Sequence, residues 1–289
     1  MPVSGNIKSV TWMLGTLASF CLMAIGAREL SGQMDTFLLL FFRSVIGLLI
    51  ISLIIVARGE LRLFKTQRFK LHSVRNLFHF GGQYGWFLGI TLLPLAEVFA
   101  IEFTVPLWTA IIAALFLGER FTFKKLCSIV LGMTGVMLIL QPGIELIDPA
   151  SFIVLGAAIC YAISHSSTKS LSSTENPLTI LFMMCLLQLP ISLLFSLSYW
   201  ALPEGQQWLW LSIIGVTALS AHFCMTKAMH YAEVSLVVTL DFLRLPIIAI
   251  VGVAFYSESF NLTLIAGAFI ILLGNLINLY SPRIKPNIS

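Results

Sequence analysis

Asp241 and Arg244 stand three residues apart inside an otherwise apolar run, and Arg43 and Glu102 each interrupt another. Three-residue spacing puts Asp241 and Arg244 on one face of a helix, where they can pair. Such a pair either meets a polar solute and exchanges partners, or neutralises two costly charges and ties helices together. Spacing leaves both readings open. Arg43 and Glu102 offer an analogous pair if their segments touch. Glu102 is also the better candidate for a proton-linked switch, because a carboxyl held away from water can exchange its proton near neutral pH.

A second set of polar groups follows one stripe. Asn76, His79, Gln83 and then Trp86 or Phe87 recur at steps of three or four, which aligns them on one helix face. Facing lipid, the stripe would leave polar groups without partners, so it must face the protein interior or a watery cavity. There it serves either a solute or hydrogen bonds between helices. Tyr84, Trp86, Trp108 and Tyr161 are the rings available to stack on a flat heteroaromatic solute. His165 and His222 are lone histidines on apolar segments without metal-ligand spacing. Cys21, Cys127, Cys160, Cys185 and Cys224 sit in apolar runs without CxxC spacing, as small hydrophobes do.

The elements that must position these groups are membrane spans. Of 289 residues, 58% are hydrophobic and only 10% charged, far below the roughly 25% charged of soluble domains. Spans of about 20 apolar residues are expected near 10–27, 36–57, 74–93, 96–117, 126–141, 151–168, 178–200, 208–229, 234–256 and 262–280. Ala24-Ile25-Gly26 faintly resembles a signal-peptide cleavage site, but the first segment has a counterpart in the second half, so it is expected to stay. Lys and Arg concentrate in the 2–3 loop (Arg58, Arg62, Lys65, Arg68, Lys70), the 4–5 loop (Arg120, Lys124, Lys125) and the C-terminal tail (Arg283, Lys285). The positive-inside rule then places both termini in the cytoplasm. Trp200, Trp208 and Trp210 suit an interfacial aromatic belt. The net charge of +4 comes with no stacking platform or recognition helix, so nucleic acid is not expected as a partner.

The two halves echo each other. Ala96-Glu97-Val98 matches Ala232-Glu233-Val234, Glu119 and Gly135 match Glu258 and Gly274, and the first and sixth spans end in Arg28-Glu29-Leu30 and Lys169-Ser170-Leu171. Two copies of an odd number of spans are oppositely oriented, a recurring transporter plan with its site near the midplane between the repeats. Pro106 and Pro246 occupy related positions and suit a hinge or broken helix beside such a site, while Pro190 kinks the seventh span. Glu97 lies nearer a membrane face, and Glu119 and Glu258 close their helices as capping or packing residues.

Gly118-Glu119-Arg120-Phe121-Thr122, Ser257-Glu258-Ser259-Phe260 and the glycine-spaced fifth and tenth spans (Gly132, Gly135; Gly267, Gly274) resemble the drug/metabolite transporter superfamily, in its form with two EamA repeats. The second copy departs from the pattern in having Ser257 where Gly118 stands. The resemblance covers about residues 8–281. It implies an all-α membrane protein of ten transmembrane helices in two inverted five-helix repeats, 8–141 and 150–281, in a bacterial inner membrane. It also implies a secondary transporter of a small organic metabolite, with no cofactor and no metal.

A narrower likeness lies in Arg75-Asn76-Leu77-Phe78-His79-Phe80-Gly81-Gly82-Gln83 and Pro94 to Thr104. These resemble the branch containing bacterial riboflavin importers of the RibN type, which makes riboflavin uptake the first expectation. Rickettsial S-adenosylmethionine transporters form a competing branch, and a metabolite or amino-acid exporter of the same fold remains a rival. The chain carries no GxxxxGK[ST] phosphate loop, so transport would draw on a gradient or on exchange. HExxH, GxSxG and paired catalytic aspartates are also missing from it, which argues against a membrane enzyme; a non-transporting scaffold fits the deep charges poorly. The expected substrate-binding residues are Asn76, His79, Gln83, Trp86, Glu102, Trp108, Tyr161, Asp241 and Arg244.

Overall fold

The protein was analysed as a computed structural model, which describes residues 3–116, 123–140, 148–231, 237, 240–241, 243–258 and 262–279. Glu119 and the Ala232-Glu233-Val234 motif lie outside the described residues. Those described form helices and the turns that join them, with no strand among them: α1 (Val3–Glu29), α2 (Thr36–Ala57), α3 (Phe69–Leu92), α4 (Leu95–Glu102), α5 (Val105–Phe116), α6 (Phe123–Leu140), α7 (Pro149–Ser172), α8 (Pro177–Ser196), α9 (Gln207–Tyr231), α10 (Arg244–Tyr256) and α11 (Leu262–Leu279).

Local chemistry sets several of these boundaries. Asp35 accepts hydrogen bonds from the Phe37 and Leu38 backbones and starts α2, and Asp148 and Asn176 do the same for α7 and α8. In the last two a proline follows the cap, where its missing N–H has no partner to lose. Five helices, α1, α2, α7, α8 (with the 3-10 turn that follows it) and α9, are long and apolar enough to cross a membrane. At 24 residues α3 is equally long, but its polar stripe lowers its apolarity.

The expected fourth span is two helices. α4 ends at Glu102 and α5 starts at Val105, with Phe103 and Thr104 in a turn between them. Pro106 sits in the first turn of α5, where proline is tolerated, and the Thr104 carbonyl accepts from the Leu107 and Trp108 amides. The second half parallels this: α10 starts at Arg244, and Pro246 lies in its first turn.

Packing joins the halves throughout. The principal partners are α1 with α9, α2 with α8, α3 with α7, α4 with α10 and α6 with α11, so each pair links a helix before residue 141 to one after 148. Small residues permit the approach. A Cβ on Gly135 would meet the Gly267 carbonyl at 2.6 Å, and one on Gly267 would meet the Gly135 carbonyl at 2.7 Å.

The C-terminal ends of α1 and α7 repeat one contact, at the C-terminal ends of α3 and α9. Arg28 donates to the Leu93 carbonyl at 2.8 Å, and Lys169 donates to the Met229 carbonyl at 2.7 Å. Leu93 and Met229 stand at matching places, three residues before Ala96 and Ala232. The outer faces carry exposed Leu49, Leu53, Phe123, Phe152 and Phe255, an apolar surface suited to lipid.

Candidate functional site

The carboxylates and cations expected from the sequence meet where the broken fourth span faces α10. Arg244 donates to Glu102 Oε1 at 3.1 Å and pairs with Asp241. Trp86 Nε1, from α3, donates to Glu102 Oε2 at 2.8 Å. The Arg244 guanidinium also lies over three rings, Phe20 at 4.5 Å, Phe99 at 5.2 Å and Phe103 at 5.6 Å. Such placement stabilises a desolvated cation. Glu102 of the first half closes α4 and Arg244 of the second opens α10, and α3 reaches Glu102 through an indole.

Beside this cluster is a cavity of about 20 Å³ lined in part by Phe20, Gln83, Trp86, Tyr161, His165 and His222. That is room for about one water molecule. Glu102 and Arg244 form its charged wall. Gly82 makes room for one aromatic wall, since a Cβ there would meet the Tyr161 ring at 2.8 Å. Tyr161 and His165 stack at 5.9 Å between centroids, and His222 meets Phe20 edge-on at 5.4 Å.

A polar network continues from the cavity towards α8. With the Gln83 amide turned so that its oxygen faces Arg43, that oxygen accepts two bonds from the guanidinium, at 3.0 and 2.6 Å. The Gln83 nitrogen then donates to Gln188 Oε1 at 2.8 Å. Gln188 Nε2 lies 2.9 Å from His79 Nδ1, and Asn76 Oδ1 accepts from Arg75 at 2.6 Å. Arg75 reaches across to Thr168 Oγ1 at 3.2 Å.

The expected residues therefore divide. Trp86, Glu102, Asp241 and Arg244 come together in the ion-pair cluster, Gln83 and Tyr161 line the cavity, and Asn76 and His79 lie in the network behind it. Trp108 stands apart: it is half-buried on α5, and its indole donates to Thr104 Oγ1 at 3.0 Å. Tyr84 stacks on Phe37 at 4.2 Å, away from the cavity. Arg43 does not reach Glu102; its partner is Gln83. Sequence reasoning missed the network roles of Arg75 and Gln188. Arg75 precedes His79 by one helical turn, a spacing that could have added it to the stripe, whereas nothing in the sequence pairs Gln188 with α3.

Glu258 acts at an end of the bundle. It pairs with Arg28 at 2.7 Å and accepts from the Leu95 amide, the first of α4, with both oxygens, at 2.9 and 3.1 Å. It thereby caps a helix of the other half. The Ser257 backbone is left-handed, with φ 55°, the conformation that favours the glycine found at position 118.

Comparison with known proteins adds the family context. The sequence matches the EamA-like transporter family over residues 7–141 and 149–280. It is 26% identical over 277 residues to an S-adenosylmethionine uptake transporter of Rickettsia felis, covering 96% of this chain and 94% of that one. It is 28% identical over 250 residues to a riboflavin transporter of Vibrio cholerae, covering 85% and 84%. A crystal structure with 19% identity superposes with a TM-score of 0.67 over 97% of this chain and all of that one, a likeness of fold.

Proposed function

The chain belongs to the EamA-like transporter family, and from that premise we propose that it is a secondary transporter cycling by alternating access between its two halves. It is a multi-pass membrane protein that moves a small metabolite. In this reading it has ten spans with both termini in the cytoplasm of a bacterium, and it works in the inner membrane. The substrate carries a flat nitrogen heteroaromatic ring.

The observation that supports this reading most directly is the cavity itself. It lies between the halves, walled by the Phe20, Trp86 and Tyr161 rings and by the Glu102–Arg244 pair. Rings of this kind stack on a flat solute, and the paired charges can re-pair as it enters. A cavity of about 20 Å³ holds no vitamin, so the substrate enters only as the halves separate.

Riboflavin uptake is the first reading, supported by the Arg75 to Gln83 and Pro94 to Thr104 segments. S-adenosylmethionine is the second, favoured by carboxylates beside aromatic rings, which suit a sulfonium cation. The test is growth of riboflavin-auxotrophic cells on low riboflavin when this chain is expressed, alongside uptake of labelled S-adenosylmethionine, with and without a protonophore. Growth rescue supports riboflavin. Uptake of S-adenosylmethionine without rescue moves the assignment to the second reading, and failure of both, with the chain shown to be in the membrane, removes the substrate class.

A further inference from the structure

Among the described residues the buried interior holds three arginines, Arg43, Arg75 and Arg244, against two carboxylates, Glu102 and Asp241. Both carboxylates are taken by Arg244. Among the described residues no carboxylate lies within ion-pair distance of Arg43 or Arg75, which are 2% and 3% exposed. A buried guanidinium without a counter-charge is costly, and both are held only by neutral groups: Gln83, Asn76 and Thr168.

The network between them has a direction. Arg43 can only donate, so Gln83 presents its oxygen to it and its nitrogen to Gln188; the Gln188 oxygen is then used, and its nitrogen donates to His79 Nδ1. His79 must therefore carry its proton on Nε2, and that N–H has no acceptor. Arg43 Nε has none either. The region is thus rich in donors and positive charge and poor in acceptors. An ionised carboxylate, which accepts without donating, supplies what is missing.

We propose that the Arg43–His79–Arg75 network, which lies behind the cavity and meets it at Gln83, is an anion subsite, taking a carboxylate carried by the substrate or a small free anion bound with it as the halves separate. The proposal rests on reading this cavity as the substrate pathway. It places the anionic group about the Gln83–Gln188 network and the heteroaromatic ring towards Trp86, so one solute would span both.

The test begins with binding, which does not depend on the substrate's identity. The purified full-length chain in detergent is melted with increasing sodium acetate, chloride or phosphate, the ionic strength being held by the bulky HEPES anion. A saturable rise in Tm with at least one of these anions is expected for the wild type and for R43K. In R43Q and R75Q the anion should bind about tenfold or more weakly, as loss of charged hydrogen bonds implies. H79F, which removes an N–H without removing a formal charge, should weaken it as well and carries the comparison if the glutamine variants do not fold.

Counterflow in proteoliposomes separates the two sources. S-adenosylmethionine competing at least about tenfold better than its decarboxylated form points to the substrate's own carboxylate, and riboflavin transport that requires chloride points to a free anion. A wild type indifferent to all three anions, or equal shifts in the wild type and the variants, overturns the subsite. Absence of transport alongside anion-specific melting overturns the substrate assignment and leaves the subsite standing.

Discussion

Arg244 has two carboxylates beside it and three aromatic rings around it, so removing it strands two buried negative charges at once. Arg244→Gln should destabilise the protein by about 3–5 kcal/mol, read as a fall in melting temperature in detergent. Trp86→Phe, which deletes one hydrogen bond to a charged group, should cost about 1.5–3 kcal/mol. Glu102→Gln is a different experiment, because Arg244 keeps Asp241. Its fold should hold, and if Glu102 carries the coupling proton, uptake should slow and lose its response to a protonophore. Unchanged uptake with an unchanged protonophore response would take Glu102 out of the transport cycle. The Asp241–Arg244 contact was legible from a spacing of three within one segment. The Arg43 partner was not, because Gln83 and Gln188 come from segments 40 and 145 residues further along, and charge alone nominated Glu102.

At the scale of elements, the breaks matter most. Pro106 signalled an interruption, but the exact turn at Phe103 and Thr104 also resets the helical phase. Glu102 and Trp108, six residues apart, would already point about 120° away from each other on an unbroken helix, and of the two Glu102 alone reaches the cluster. The most apolar helices were easier to read: α2 begins and ends where its apolarity puts it, at residues 36–57. The contacts of Glu258 were beyond reach, since they depend on α10 ending against α4. Two substitutions test that junction. Ser257→Gly should stabilise by about 1 kcal/mol, the cost of left-handed backbone for a residue with a Cβ. Gly252→Ala puts a methyl group onto the Glu258 carboxylate and should lower the melting temperature. Combined with Glu258→Gln it should add little, because both act through one cap; full additivity would show that the cap is not what Gly252 protects.

Across the whole molecule, the composition and the sequence echoes were enough to place the chain among polytopic membrane proteins with related halves. They could not say that every principal helix pair would cross between the halves. Residues 1–147 and 148–289 expressed separately should each be unstable in the membrane, and co-expression should restore both, measured as the amount of each fragment surviving in membrane fractions. A stable fragment on its own would mean that contacts within a half suffice. The Ser9 hydroxyl donates to the Ala228 carbonyl 219 residues away, on the helix pair that anchors the start of the chain. Pairing at such separation closes long loops and is intrinsically slow to form. A ribosome adding residues at about 5–20 per second therefore leaves α1 in the bilayer for some ten seconds or more before its partner has been made. Through that interval Ser9 and the face of α1 that packs on α9 have lipid or an insertion factor as their neighbour, so the polarity that first helix can carry is limited by insertion as well as by the finished fold.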